Sequence, residues 1–334
     1  MAKRTAKIYR PTPRNLARLA HALREGELVA VPTETVYGLA ADALNAAACR
    51  KIFRAKRRPT SDPLIAHLAK ASDLTRVAEA SEAVWKLAKH FWPGPLTLVL
   101  PRKPIVPELV TAGLPSVAVR VPRHAAFRRL IALAGTPLAA PSANPFGYVS
   151  PTNADHVLAG LGDRISHILD GGASRIGLES TIVDLRDPTQ PKILRPGAIS
   201  ADEISAVLGV PVAARKPARA KKTSAQIAPG LLTRHYSPRT PVSLHSSLTL
   251  RDVARSTGGK REAWVFLAKP AGKLPPNVFW LDRRGSLAGV ARRLFGVLRE
   301  LDGAGYQHLH VERASGDGLA IAINDRLERA AAKA

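Results

Sequence analysis

The sequence predicts a mixed α/β protein in two parts, a larger domain on a twisted mixed sheet and a smaller one on a parallel sheet. Three observations carry this. Up to Leu208, apolar runs of strand length alternate irregularly with amphipathic segments and Pro-rich loops. A basic run without hydrophobic periodicity, Arg215–Lys222, follows. Beyond it, strand and helix patterns alternate regularly, as a parallel sheet requires. The 334 residues, 46% of them hydrophobic, suffice for two cores. The expected division is 1–212, a linker at 213–238, and 239–334.

Taken in order, Asn15–Arg24 is a short amphipathic helix leading to a strand at Leu28–Val31, which Pro32 stops. Next comes VPTETVYGLAADA, Val31–Ala43, the stretch around which the chain is organised. Thr33, Glu34 and Thr35 stand just before Tyr37 and Gly38. Short hydroxyls beside a glycine, directly after a strand, suit a loop that brings donors close to a small ligand. The same residues also suit the plain task of capping a turn. Asn45 caps a helix through Ala55 that runs into Lys56–Pro59, KRRP. PLIAHL, from Pro63, is a buried strand carrying His67. Ser81–His90 is helical until Phe91–Pro95, FWPGP, breaks it.

Leu96–Leu100 and Val117–Val121 are strands, the second holding Arg120 among apolar residues. Helix His124–Ala134, strand PLAA and the loop Pro141–Pro151 follow. Further strands are marked by Asp170–Gly172, Ser180–Leu185 and Lys192–Gly197, and Ser200 caps a helix at Ala201–Leu208. Ala213–Ile227 is the linker proper. The second domain then offers strands at Ala263–Ala268, Asn277–Leu281 and His308–Val311, with helices at Ser286–Leu301 and Gly318–Ala330.

Fifty Lys and Arg against 26 Asp and Glu give a formal charge of +24, with a pI near 11.0. Such a surface favours phosphates, whether of nucleic acid, nucleotides or an acidic partner. The single cysteine, Cys49, excludes an intrachain disulfide and a cysteine-based zinc cluster, and packs as a small hydrophobe. No run of about 18 apolar residues occurs, and MAKRTAKIYRPTPR lacks the apolar core of a secretory signal. A soluble, cytoplasmic protein without a membrane partner is expected.

Among candidate residues, Lys56, Arg57 and Arg58 are three adjacent cations at a helix end. They repel one another unless an anion gathers them, although a solvated last helical turn also favours cations. Arg120 either points outward from its strand or is buried and needs an acidic partner. PSAN, Pro141–Asn144, offers a hydroxyl and an amide after a small-residue strand. GLESTIVDL, Gly177–Leu185, echoes the opening PTET. His67 in an apolar strand is more often a satisfied core histidine than a ligand. The P-loop and dinucleotide fingerprints, H-E-x-x-H and G-x-S-x-G are all missing. A nucleotide would therefore be held by scattered cations and hydroxyls.

Together these stretches resemble one family, the threonylcarbamoyl-AMP synthases in their long form, with an N-terminal YrdC-like domain. The signatures are PTETVYGLAADA, KIFRAKRRPTSDPLIAHL, WPGPLTLVL, VAVRVPRH, APSANPFGYVSPT, LDGG, ESTIVD and ILRPGAIS, between Gly26 and about Leu208. APGLLTRHYSP, Ala228–Pro238, and GLAIAINDRLERAA resemble the long form's interdomain segment and closing helix. The resemblance implies a sheet and helices around a basic cavity, with a Rossmann-like second domain packed over it. The implied reaction joins L-threonine, bicarbonate and ATP, with Mg²⁺, into L-threonylcarbamoyl-AMP and pyrophosphate. A partner complex would then carry the threonylcarbamoyl group to adenosine 37 of tRNAs reading codons that begin with A.

The same resemblance implies roles for particular residues. Lys56 and Arg58 would be catalytic and contact the phosphates. Asp62, Ala118, Ser142, Asn144, Arg195, His235 and Tyr236 would complete the ATP site, with Ser142 and Asn144 also serving the metal. Thr35, His67, Arg120, Ser180 and Thr181 would hold threonine, Arg120 facing its carboxylate. Where the family has a lysine shortly before HY, this sequence has LLTR, which puts Arg234 there. The rival reading is a basic RNA-binding module without turnover, with weak tRNA binding through the surface charge. An aromatic content of 5% and the lack of a stacking platform weigh against it.

Overall fold

A computed structural model describes residues 5–214, 225–232, 235–256 and 259–332. The run Arg215–Lys222 and Arg234 lie outside them. The first part comprises β1 (Lys7–Tyr9), α1 (Pro13–Arg24), β2 (Val29–Val31), β3 (Gly38–Asp42), α2 (Ala46–Lys56), β4 (Ile65–His67), α3 (Glu82–Phe91), β5 (Leu96–Pro101), α4 (Glu108–Thr111) and β6 (Ser116–Arg120). It continues through α5 (Ala125–Ala134), β7 (Leu138–Ala139), α6 (Ala154–Leu161), β8 (His167–Leu169), β9 (Thr181–Asp184), β10 (Lys192–Arg195), α7 (Ala201–Leu208) and β11 (Ala213–Ala214). The second part is β12 (Val242–His245), α8 (Leu250–Arg255), β13 (Glu262–Ala268), β14 (Val278–Asp282), α9 (Leu287–Gly303), β15 (His308–Glu312) and α10 (Leu319–Ala331).

The larger sheet runs β1-β8-β2-β3-β7-β4-β6-β5-β9-β10-β11 and mixes parallel with antiparallel pairs. The smaller, β12-β15-β13-β14, is parallel throughout. Both sheets are of the kind the sequence predicts. Local chemistry sets the helix starts. Thr12 accepts from the Asn15 amide with Pro13 at the first turn, Asn45 accepts from Ala47 and Ala48, and Ser200 forms a reciprocal capping box with Glu203. The buried Leu16, Leu19, Ala20 and Leu23 of α1 then follow helical spacing.

Several elements depart from expectation. β1, β3, α4, α6, β12 and α8 are not read from the sequence. β3 is Gly-Leu-Ala-Ala-Asp, poor in β-formers, and becomes a strand because β2 and β7 flank it in the interior. β1 and β8 are three residues each, and Lys7 pairs with His167, so only tertiary pairing specifies them. β11 pairs with β10, which carries the first sheet into the segment read as linker.

The smaller unit grips the loops of the larger one. From α9, Arg299 donates to the carbonyls of Ser150 (3.3 Å), His156 (3.4 Å) and Val149, while Asp302 accepts from the Tyr148 hydroxyl at 2.7 Å. Gly177 fits against the same helix with φ +83°, and a Cβ there would lie 2.4 Å from the Ala291 carbonyl oxygen. Gly177→Ala therefore combines a left-handed alanine, about 1–2 kcal/mol, with a backbone clash. Thermal unfolding should show a lowered Tm, whereas Gly113→Ala, with the same backbone sign and open space around it, should show only the smaller conformational cost.

Candidate active site

Strand ends and turns of the larger sheet enclose one cavity. The turn between β2 and β3 supplies Thr33, Thr35 and Val36, β4 supplies Ile65 and His67, and Arg120 ends β6. Ala140–Ser142 follow β7, Glu179–Ser180 precede β9, and Arg195 ends β10. Pro229–Gly230 and His235–Tyr236, between the two sheets in sequence, close the opening like a strap. The enclosed free volume is about 40 Å³, room for a few waters.

The capping reading of the PTET stretch holds for Thr33. The Thr33 hydroxyl donates to the Val36 carbonyl (2.6 Å) and accepts from the Thr35 and Val36 amides (both 3.1 Å), so it caps the turn. That turn presents Thr35 to the cavity. Gly38 makes the close approach possible: it bridges to Ser142, and a Cβ on it would stand 3.2 Å from that of Ala140.

Arg120 is buried, and its acidic partner is Glu34. Its Nη2 donates to Glu34 Oε1 at 2.7 Å, its Nη1 to the Thr35 hydroxyl at 3.0 Å, and its Nε to the Gly94 carbonyl at 3.1 Å. Burial alone would raise the Glu34 pKa, but the charge and hydrogen bond of Arg120 outweigh it and hold the carboxyl below its ordinary value. Glu34 Oε2 is buried without a hydrogen-bond partner.

Arg58 folds back on its own loop. It donates to the carbonyls of Asp62 (2.9 Å) and Pro63 (2.7 Å), and its Nη2 pairs with the Asp62 carboxylate at 3.0 Å. Lys56 donates to the carbonyls of Ser142 and Asn144, both at 2.6 Å, tying the end of α2 to the PSAN loop. Burial, then repulsion from Arg58, pushes the Lys56 pKa well down, and Asp62 opposes this. Arg195 donates to the Ser180 carbonyl (3.0 and 3.1 Å), the Ser180 hydroxyl (3.1 Å) and the Pro229 carbonyl (3.2 Å). His67 packs 5.4 Å from the Phe127 ring, and burial followed by Arg120 drives its pKa down to about 3. It is neutral at physiological pH, a hydrogen-bonding group and not an acid.

The strap is held in an uncommon conformation. Tyr236 has φ +61°, and its ring stacks on Phe295 of α9 at 5.6 Å. Its hydroxyl and His235 Nδ1 are buried without partners. Burial, then the neighbouring Arg58, keeps His235 neutral by lowering its pKa well below the ordinary value.

Of the residues singled out in sequence, Thr35, Arg58, His67, Arg120, Ser142, Ser180, Arg195, His235 and Tyr236 line the cavity. Lys56, Asp62 and Asn144 stand directly behind the wall, Asn144 with its Oδ1 unpartnered. Ala118 lies in an apolar cluster with Ile65 and Leu194, and Thr181 exchanges hydrogen bonds with the backbone of Ile199. Glu179, Pro229 and Gly230 join the wall without having been selected. Glu179 was within reach, since it stands beside Ser180 in ESTIVD. Three guanidiniums facing one closed space suit an anionic, polydentate ligand.

Two family models match the chain, one described as telomere recombination over residues 21–197 and one as threonylcarbamoyl-AMP synthase, C-terminal domain, over 199–332. The threonylcarbamoyl-AMP synthase of Pyrococcus abyssi is 41% identical over 319 residues, 92% of this chain and 91% of that one. That of Bacillus subtilis is also 41% identical, over 95% of this chain and 92% of its own length. The crystal structure of P. abyssi Sua5 complexed with L-threonine superposes with a TM-score of 0.90 at 38% identity, covering 98% of each chain.

Removing one member of the buried Arg120–Glu34 pair strands the other charge. Glu34→Ala should cost about 3–5 kcal/mol in urea unfolding, with Glu34→Gln costing less because it leaves an acceptor for Arg120.

Proposed function

The chain belongs to the threonylcarbamoyl-AMP synthase family, and from that premise we infer that it is a nucleotidyltransferase joining L-threonine, bicarbonate and ATP into L-threonylcarbamoyl-AMP with release of pyrophosphate. The observation that carries the reading is the set of Arg58, Arg120 and Arg195, at 6%, 3% and 4% exposure, turned inward on one cavity. A surface that grips RNA would carry its cations outside, so the rival reading is the weaker.

In the reaction, the threonine amine bonds to the carbon of bicarbonate, a C–O bond breaks, and water departs carrying the amine proton, giving a carbamate. A carbamate oxygen then bonds to the α-phosphorus of ATP as the bond to the β-phosphate oxygen breaks and pyrophosphate departs. Charge spreads over the phosphoryl oxygens, so fixed cations lower the barrier most. We assign Lys56, Arg58 and Arg195 to that task. Lys56 would reach the phosphates by exchanging its two carbonyl acceptors for phosphate oxygens. Arg120 would receive the threonine carboxylate while keeping Glu34, with Thr35, His67 and Ser180 fixing the amino acid. His235 and Tyr236 line the cavity, whose free volume of about 40 Å³ is too small for ATP, so the strap would have to move to admit the nucleotide.

Mg²⁺ fits as a companion of the nucleotide. The buried, unpartnered Asn144 Oδ1 and the Ser142 hydroxyl would be its protein ligands. Among the described residues no three His, Cys, Asp or Glu side chains converge to hold a metal, so the nucleotide would have to supply the remaining oxygen ligands. When bound, the ion would neutralise phosphate charge. The product would pass to a threonylcarbamoyl-transferring complex acting on tRNA in the cytoplasm. No helix among the described residues is long and apolar enough to cross a membrane.

Pyrophosphate release from ATP with bicarbonate should require L-threonine, and Lys56→Ala should abolish it with circular dichroism unchanged. Threonine-independent release, or full turnover by Lys56→Ala, would contradict the assignment. Burial lowers the Lys56 pKa and phosphate would raise it again, so at pH values between the free and the bound pKa ATP binding should take up protons. Calorimetry in buffers of differing ionisation enthalpy reads this uptake, and it should disappear in Lys56→Ala.

A further inference from the structure

We propose that Arg326, on α10 of the second unit, is a positioning residue for the first unit's cavity, an inference that rests on the reaction assigned above. Arg326 is wholly buried. Its Nε donates to Glu179 Oε2 at 2.7 Å, its Nη2 to the Pro196 carbonyl at 3.0 Å, and its Nη1 to Asp325 at 2.5 Å. The guanidinium carbon lies 5.2 Å from the centre of the Tyr236 ring.

Three of these four contacts adjoin the cavity wall. Glu179 lines it and precedes Ser180, Pro196 follows Arg195, and Tyr236 belongs to the strap. One planar group with fixed donor directions thus sets the mutual spacing of Ser180, Arg195 and Tyr236, which come from three separate segments. Glu179 extends the reach of Arg326, because its other oxygen accepts from the Ser150 hydroxyl at 2.6 Å, beyond the PSAN loop. One turn further on, Arg329 donates to the Leu232 carbonyl (2.6 Å) and its own carbonyl accepts from the Ser237 hydroxyl (3.0 Å). The helix thereby holds the strap on both sides of His235 and Tyr236.

Adhesion between the units does not need this geometry. Arg299 and Asp302 bind the two parts together through Tyr148, Val149, Ser150 and His156, none of which lines the cavity. A buried guanidinium is costly unless every partner is in place. At Arg326 those partners are the cavity's own supports.

The test compares full-length wild type, Arg326→Lys and Arg299→Lys by thermal unfolding and by threonine-dependent pyrophosphate release. Arg326→Lys keeps a cation beside Glu179 but loses the planar fork. KM for threonine and for ATP should each rise about tenfold, with kcat falling less than threefold. Arg299→Lys, an interface change whose partners are backbone carbonyls outside the cavity lining, should lower Tm with KM within twofold of wild type. KM values within twofold of wild type in folded Arg326→Lys would overturn the proposal. Should Arg326→Lys not fold, Arg326→Met with Glu179→Gln removes both buried charges together. Its KM values must then exceed those of Glu179→Gln alone by about tenfold, and equality overturns the proposal. If wild type releases no pyrophosphate, the reaction assignment fails, and the same comparisons are made on threonine and ATP Kd by calorimetry with the same criterion.

Discussion

The structure depends on holding more buried positive charge than buried negative charge around one cavity. Lys56, Arg58, Arg120 and Arg195 are all nearly inaccessible, and the carboxylates paired with them are Glu34 and Asp62. Backbone carbonyls supply the rest: those of Ser142, Asn144, Asp62, Pro63, Gly94, Ser180 and Pro229. Carbonyl dipoles orient a cation and satisfy its donors, but they do not neutralise it. An anionic ligand would balance that charge, so the cavity is organised to receive an anion. This explains why so many loops end at the same place. Each brings either a cation or the carbonyls that restrain one.

Much of this was legible in the chain. The capped helices and the long apolar strands carry strong local signals, and Asn45, Ser200 and the LTLVL and VAVRV runs became the expected elements. Arg120 was legible as an anomaly, because a charge in an apolar strand demands a partner, though nothing local said that the partner was Glu34. What stayed hidden was the short or small-residue strands. β3 is held by its neighbours on both sides, and β1 by a segment far along the chain. Pairing energy of that kind does not belong to any window of sequence.

The site was legible to a similar depth. Residues at strand ends that line the cavity were found, but their layering was not. Lys56 and Asp62 turn out to support the wall, while Glu179 forms part of it. Distance from a strand end along the chain does not say whether a side chain faces the cavity or the loop behind it. Thr181 shows the difference most simply: it adjoins Ser180, yet strand alternation sends its hydroxyl to the Ile199 backbone.

The pairing of Lys7 with His167 also has a consequence during synthesis. β1 sits at the sheet edge and touches β8 alone among the strands, so it leaves the ribosome with no partner. At about 5–20 residues per second, translation needs on the order of ten seconds to reach β8. Throughout that interval the first strand made is an open edge, and the cations at both of its ends, Lys7 and Arg10, are what discourage a neighbouring nascent chain from occupying it. The cavity matures later still. Its last fixed point, Arg326, is translated only after the whole second sheet, so the strap is made well before the helix that anchors it.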